Sequence, residues 1–131
     1  ADHCLMADLP GYGYAKISKA ERAQWDRLID AYLTHRTNLR LVLLLIDSRH
    51  ELKAIDEEMM EYLDARAVPY VCVLTKTDKT KKAALDTIHE RLESGLRGHP
   101  AALEHIFTVS ALKKTGLPEL REFIERHLIA A

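Results

Sequence analysis

At 131 residues, 47% of them apolar and 30% charged, the chain has the length and balance of one globular domain with a buried core. Its formal net charge of −1 supplies no overall pull toward DNA or acidic membranes. The longest apolar run, Leu41 to Ile46, is far too short to span a bilayer.

The first apolar run, Cys4 to Ala7, reads as a strand and ends at Asp8-Leu9-Pro10-Gly11. Ser18-Lys19-Ala20-Glu21 fits a capping box and opens a helix whose stripe is Trp25, Leu28, Ile29 and Tyr32. Leu41 to Ile46 is apolar throughout, as expected of a central strand covered on both faces. Leu52, Ile55, Met59 and Leu63 mark the next helix, and Val71 to Leu74, after Pro69, a second buried strand. A third helix carries Leu85, Ile88, Leu92 and Leu96 and stops at Gly98 or Pro100. Ile106 to Val109 reads as another strand. The last helix has Pro118 in its first turn and a stripe of Leu120, Phe123, Ile124 and Leu128.

Strands alternating with helices imply βαβ units, a parallel sheet and one α/β domain. Ligands of such sheets bind beyond the carboxyl ends of the strands. Three strand ends carry suitable groups: Asp8, Thr75-Lys76-Thr77-Asp78, and Ser110-Ala111 after Val109. The fourth, Asp47-Ser48-Arg49-His50, shows no obvious nucleotide role. A carboxylate such as Asp78 can accept the adjacent N–H and exocyclic amine of guanine, an edge that adenine lacks. A lysine stem such as that of Lys76 can lie over a base face. Backbone N–H groups beside a small residue such as Ala111 can reach a base carbonyl oxygen. Taken alone, each motif also reads as an ordinary loop. Cys4 and Cys72 lack metal or redox spacing and read as buried reduced thiols. The seven histidines show no metal-ligand pattern, and no nucleophile–base pair suggests covalent catalysis.

D-x-x-G, T-K-x-D and S-A-x-K follow apolar runs in the order used by P-loop GTPases. Asp8-Leu9-Pro10-Gly11-Tyr12-Gly13-Tyr14-Ala15-Lys16 resembles switch II of the EngB group of bacterial GTPases, which assist ribosome assembly. Leu45 to His50, Leu74 to Lys79 and Ser110 to Gly116 are similar to the same group, so the likeness covers nearly the whole chain. It implies a three-layer αβα domain with a mostly parallel sheet, an incomplete Ras-like P-loop GTPase domain. It also implies that Asp8, Leu9, Pro10, Gly11, Thr75, Lys76, Thr77, Asp78, Val109, Ser110 and Ala111 bind GTP or GDP. Asp8 would reach Mg²⁺ through a water, Gly11 N–H the γ-phosphate, Asp78 the guanine edge, Lys76 the base face, and Ser110 with Ala111 the base carbonyl. The likeness further implies a cytoplasmic protein, monomeric at full length, that partners the large ribosomal subunit or its RNA, is linked to septum formation, and binds neither DNA nor membrane.

The sequence departs from the common P-loop GTPase pattern in two ways. Tyr12 stands where many GTPases place a water-orienting glutamine, so slow unaided hydrolysis is expected. No glycine is followed by lysine, so a G-x-x-x-x-G-K-S/T phosphate loop is absent. The expectation is a single partial domain over residues 1–131, from switch II to the last helix, without the N-terminal strand, phosphate loop and switch I. Such a piece of a longer GTPase would bind GTP poorly alone and expose two strand edges. Two other readings stand beside this one. One is a receiver-like signalling domain with Asp47 as acceptor. The other is a nucleotide-free domain that binds RNA or the ribosome through switch II and a basic rim of Lys79, Lys81, Lys82, Lys113 and Lys114.

Overall fold

A computed structural model describes residues 6–7, 18–35 and 39–130. Two units, residues 1–39 and 40–131, are separable by their internal packing. Of the expected first strand, Cys4 and Leu5 lie outside the described residues, and Met6 and Ala7 belong to no regular element.

In the first unit, helix α1 spans Lys19–His35. The Ser18 hydroxyl accepts the Glu21 N–H at 3.1 Å and the Ser18 carbonyl accepts the Arg22 N–H, which is the N-cap the sequence announced. The stripe is shifted from the expected one. Ile29 and Leu33 are buried, Trp25 and Tyr32 are half-buried, and Leu28 is 52% exposed. Leu33 repeats the Ile29 position one turn on, whereas Leu28 falls beside it toward solvent.

The second unit is mixed α/β: β1 (Val42–Asp47), α2 (Ala54–Ala65), β2 (Tyr70–Thr75), a short 3₁₀ turn (Thr77–Lys79), α3 (Lys82–Leu96), β3 (Ala102–Thr108) and α4 (Leu117–Ala130). Its three strands are parallel in the order β1-β2-β3. Val42 to Asp47 pair in step with Tyr70 to Thr75, which brings the ends of β1 and β2 level.

Within the described sheet the central strand is β2. Tyr70, Val71, Cys72, Val73 and Leu74 are each at most 1% exposed. β1 forms an edge of the described sheet, and its Leu45 is 57% exposed. On one face Leu43, Val73 and Phe107 pack with Val109 and with Leu117, Leu120 and Ile124 of α4. On the other, burial pushes the Cys72 thiol up to about 12, and Asp56 and Glu57 of α2 act in the same sense. Cys72 is thus a buried free thiol, as its spacing suggested, while Cys4 is outside the described residues.

The phase of α2 and two boundaries differ from expectation. α2 turns Met60 rather than Met59 fully inward, and Leu52 precedes the helix. Asp56 is buried because its carboxylate accepts the Lys53 N–H at 2.9 Å, capping that helix. β3 begins at Ala102, ahead of Ile106, since exposed Glu104 and His105 hide its start from a hydrophobicity pattern.

At the opposite edge from the strand ends, His99 ties α2 to the turn before β3. Its Nδ1 is 2.6 Å from Asp64 Oδ2 and its Nε2 is 3.0 Å from Glu57 Oε2; Asp64 Oδ1 also accepts the Ala101 N–H. Burial disfavours the imidazolium, but the two carboxylates outweigh it and raise the His99 pKa. A raised folded pKa stabilises the native state fully below the unfolded value of about 6.5, and that contribution disappears as pH rises through the folded value. Urea midpoints are therefore expected to fall between pH 6 and pH 9, and His99→Gln should flatten that slope. An unchanged slope in the variant would remove His99 from the account.

Candidate guanine-recognition site

The carboxyl ends of β1, β2 and β3 lie along one edge, and the loops after them carry the motif residues. After β2, Lys76 adopts the left-handed backbone (φ 55°) and starts the 3₁₀ turn that holds Asp78. The Thr77 N–H and hydroxyl both donate to the Val109 carbonyl, at 3.2 and 3.1 Å. The Val109 N–H in turn donates to the Leu74 carbonyl at 2.8 Å. These bonds dock the two loops on each other, and they commit both backbone groups of buried Val109 to the scaffold.

The Ser110 hydroxyl donates to Asp78 Oδ1 at 2.6 Å and accepts the Lys113 N–H at 3.0 Å. That bond holds the Asp78 pKa below its ordinary value, slight burial opposes it, and Lys79 and Lys113 add to it. Asp78 is thus a fixed carboxylate, exposed to solvent, with acceptor capacity to spare: two oxygens offer about four lone-pair sites. Beside it the exposed Ala111 N–H makes no hydrogen bond to a described residue. A paired acceptor and an N–H without a partner among the described residues could together serve the donor edge and the carbonyl of one guanine.

The Ser110-to-Thr115 loop is closed by two backbone bonds between its ends, at 3.0 and 3.1 Å, and Gly116 follows at φ 75°. Lys79, Lys81, Lys113 and Lys114 are exposed on these loops, and Lys82 is exposed at the start of α3. The structure thus brings Thr75, Lys76, Thr77, Asp78, Val109, Ser110 and Ala111 together. Asp8, Leu9, Pro10 and Gly11 lie outside the described residues, as do Tyr12 and Tyr14. Among the described residues no group of three histidine, cysteine or acidic side chains is placed to hold a metal ion.

The sequence reading missed one partner of this site. The Asp47-Ser48-Arg49 group, set aside for lack of a nucleotide role, packs on the Thr75–Thr80 loop. Asp47 Oδ2 lies 3.5 Å from Lys76 Nζ, and the Ser48 hydroxyl 2.8 Å from that of Thr80. Only the parallel pairing of β1 with β2 makes these residues neighbours, and no local spacing signals it.

Residues 32–130 match the family model of the elongation factor Tu GTP binding domain. The chain belongs to that family. Within it, the relatives are of the EngB type. A GTP-binding protein EngB of Jannaschia sp. is 45% identical over 94% of this chain and 56% of its own length. That of Afipia carboxidovorans gives the same figures. The chain thus spans about half the length of the curated relatives it matches. Among solved structures, the apo translation elongation factor SelB of Methanococcus maripaludis superposes with a TM-score of 0.74 over 95% of this chain and 25% of that one. At 24% identity it shows the fold alone. Its complex with the GTP analogue GppNHp gives 0.69 at 26% identity over 80% of this chain and 24% of that one. The α/β GTPase fold is thereby shown, and the receiver reading loses its ground. Among the described residues no helix is long and apolar enough to cross a membrane.

Proposed function

We propose that this chain supplies the guanine-recognition and switch II part of a GTP-binding protein of the EngB type. The carrying observation is the fixed Asp78 carboxylate beside the Ala111 N–H, which has no hydrogen-bond partner among the described residues, on a parallel sheet of the right family. Asp78 reads the N1–H and amine of guanine, Ala111 meets its carbonyl oxygen, and the Lys76 stem covers the ring. Thr75, Thr77 and Val109 hold these groups in place. Asp8 to Gly11 serve the γ-phosphate and a water-linked Mg²⁺. The phosphate grip requires a glycine-rich loop that these 131 residues do not contain, so tight binding belongs to the full-length protein.

Calorimetry tests this directly. The full-length protein is expected to bind GDP with a dissociation constant of roughly micromolar or below and to ignore ADP, while residues 1–131 alone bind GDP at least about tenfold more weakly. Equal affinity for GDP and ADP in the full-length protein would defeat the guanine reading. The wider role is assistance to large-subunit ribosome assembly by a cytoplasmic monomer, with a link to septum formation. The five exposed lysines at the site's edge support contact with RNA phosphates. Co-sedimentation with purified large subunits, favoured by a non-hydrolysable GTP analogue over GDP, is the expected result; no co-sedimentation in either state contradicts it.

A further inference from the structure

Asp47 closes β1 directly opposite Thr75, so its side chain stands beside the first residues of the base-recognition loop. Its carboxylate is gripped on one side by Arg49: Nε lies 3.0 Å from Oδ1, Nη2 lies 2.7 Å from Oδ2, and the Arg49 N–H lies 3.0 Å from Oδ1. On the other side Oδ2 faces Lys76 Nζ at 3.5 Å. Ser48, buried to 4% exposure, donates its N–H to the Thr75 carbonyl at 3.0 Å and shares a hydroxyl bond with Thr80. Three consecutive residues therefore hold the loop at its beginning and its end.

Stability alone does not account for this cluster. Lys76 and Arg49 are largely exposed, and exposed ion pairs contribute little to folding. Lys76 also sits in the left-handed region, a conformation that a side-chain-bearing residue keeps only where its surroundings fix it. A free lysine head would sweep its stem through many rotamers. An anchored ammonium leaves the four-carbon stem as a set apolar surface.

We infer that Asp47 is a positioning residue for the base: by holding the Lys76 ammonium it lays the lysine stem against the face of the bound guanine ring, while Arg49 and Ser48 keep Asp47 and the loop in place. The inference rests on the guanine reading above. The Arg49 bonds also keep the Asp47 carboxylate ionised, against a smaller opposing effect of burial.

The test is a double-mutant cycle in the full-length protein, with GDP and inosine diphosphate as probes in calorimetry. Asp47→Asn and Lys76→Met are each expected to weaken both nucleotides by the same factor, about threefold to tenfold, with the double variant no weaker than the weaker single one. Equal loss for the two nucleotides follows because a ring face is common to both, whereas only guanine carries the exocyclic amine. A merely structural role would instead give losses that multiply in the double variant, and that result overturns the inference. So does an Asp47→Asn protein that binds GDP as tightly as the unaltered one. Asp78→Ala separates the two failures. If it loses GDP while Asp47→Asn does not, only the positioning role falls; if it too binds GDP normally, the guanine reading falls and takes this inference with it.

Discussion

Asp78→Ala in the full-length protein is expected to cost about a hundredfold or more in GDP affinity, because a bound guanine would lose both hydrogen bonds to a charged acceptor. The melting temperature should hardly move. Asp78 is exposed, and its side-chain anchor among the described residues is the Ser110 hydroxyl. Asp78→Asn sharpens the prediction. An amide keeps one acceptor but replaces the other with a donor, so it clashes with the guanine amine and suits a base with a carbonyl there. Xanthosine diphosphate should therefore bind the Asn variant better than GDP does, reversing the order in the unaltered protein. The pKa of Asp78 is lowered chiefly by the Ser110 bond, so its carboxylate stays charged across neutral pH. The proton-linked loss of guanine affinity should appear only in acid below the ordinary aspartate range. An Asp78→Ala protein with unaltered GDP affinity would show that the carboxylate reads no base.

How much of this was visible in the chain depends on the range over which each signal acts. The β2 run and the stripes of α3 and α4 are local periodicities, and Ile88, Leu92 and Leu96 are buried as their spacing demands. The α1 cap is equally local, since Ser18 and Glu21 are three residues apart. Other features have no local mark. α2 ends through a left-handed Ala67 (φ 53°), where a glycine would have announced the stop. β3 starts with Ala102-Leu103 and is then interrupted by exposed Glu104 and His105, which an edge strand of the described sheet tolerates because it needs no continuous apolar run. Met60 displaces Met59 from the core because the Asp56 cap fixes the phase of α2.

The site divides in the same way. T-K-x-D and S-A-x-K could be read from residue types, and the parallel sheet brings them into contact through Thr77, Val109, Asp78 and Ser110. The Asp47 anchor could not, since its meaning depends on which strand lies beside β2. An aspartate-arginine pair two residues apart looks like a self-contained surface turn until Thr75 is placed opposite it.

Gly116→Ala is expected to be the most disruptive small change in the described chain. Gly116 has a φ of 75°, where an alanine is strained by about 1–2 kcal/mol. Strain is the lesser cost, because the added methyl would fall on the Thr108 carbonyl oxygen, with the Thr108 carbonyl carbon and Val109 Cα close behind. These are backbone atoms at the end of β3 and cannot swing aside as a flexible side chain would. Relief requires moving the turn that closes the Ser110–Thr115 bridge and whose carbonyl accepts the Leu120 N–H at the start of α4. A loss of roughly 3 kcal/mol or more is expected, lowering the melting temperature by about 10 °C. The same displacement moves Ser110 and Ala111, so GDP affinity should fall with stability even though Gly116 touches no nucleotide. Gly95→Ala is the control. No atom lies within 4 Å of an added methyl there, and the position is helical, so it should be stabilised by about 0.5–1 kcal/mol. Thermal melts of the two variants should move in opposite directions. A Gly116→Ala protein that melts with the unaltered one would mean that the turn after Thr115 is free to relax, and that the loop presenting Ser110 and Ala111 is not rigidly set from below.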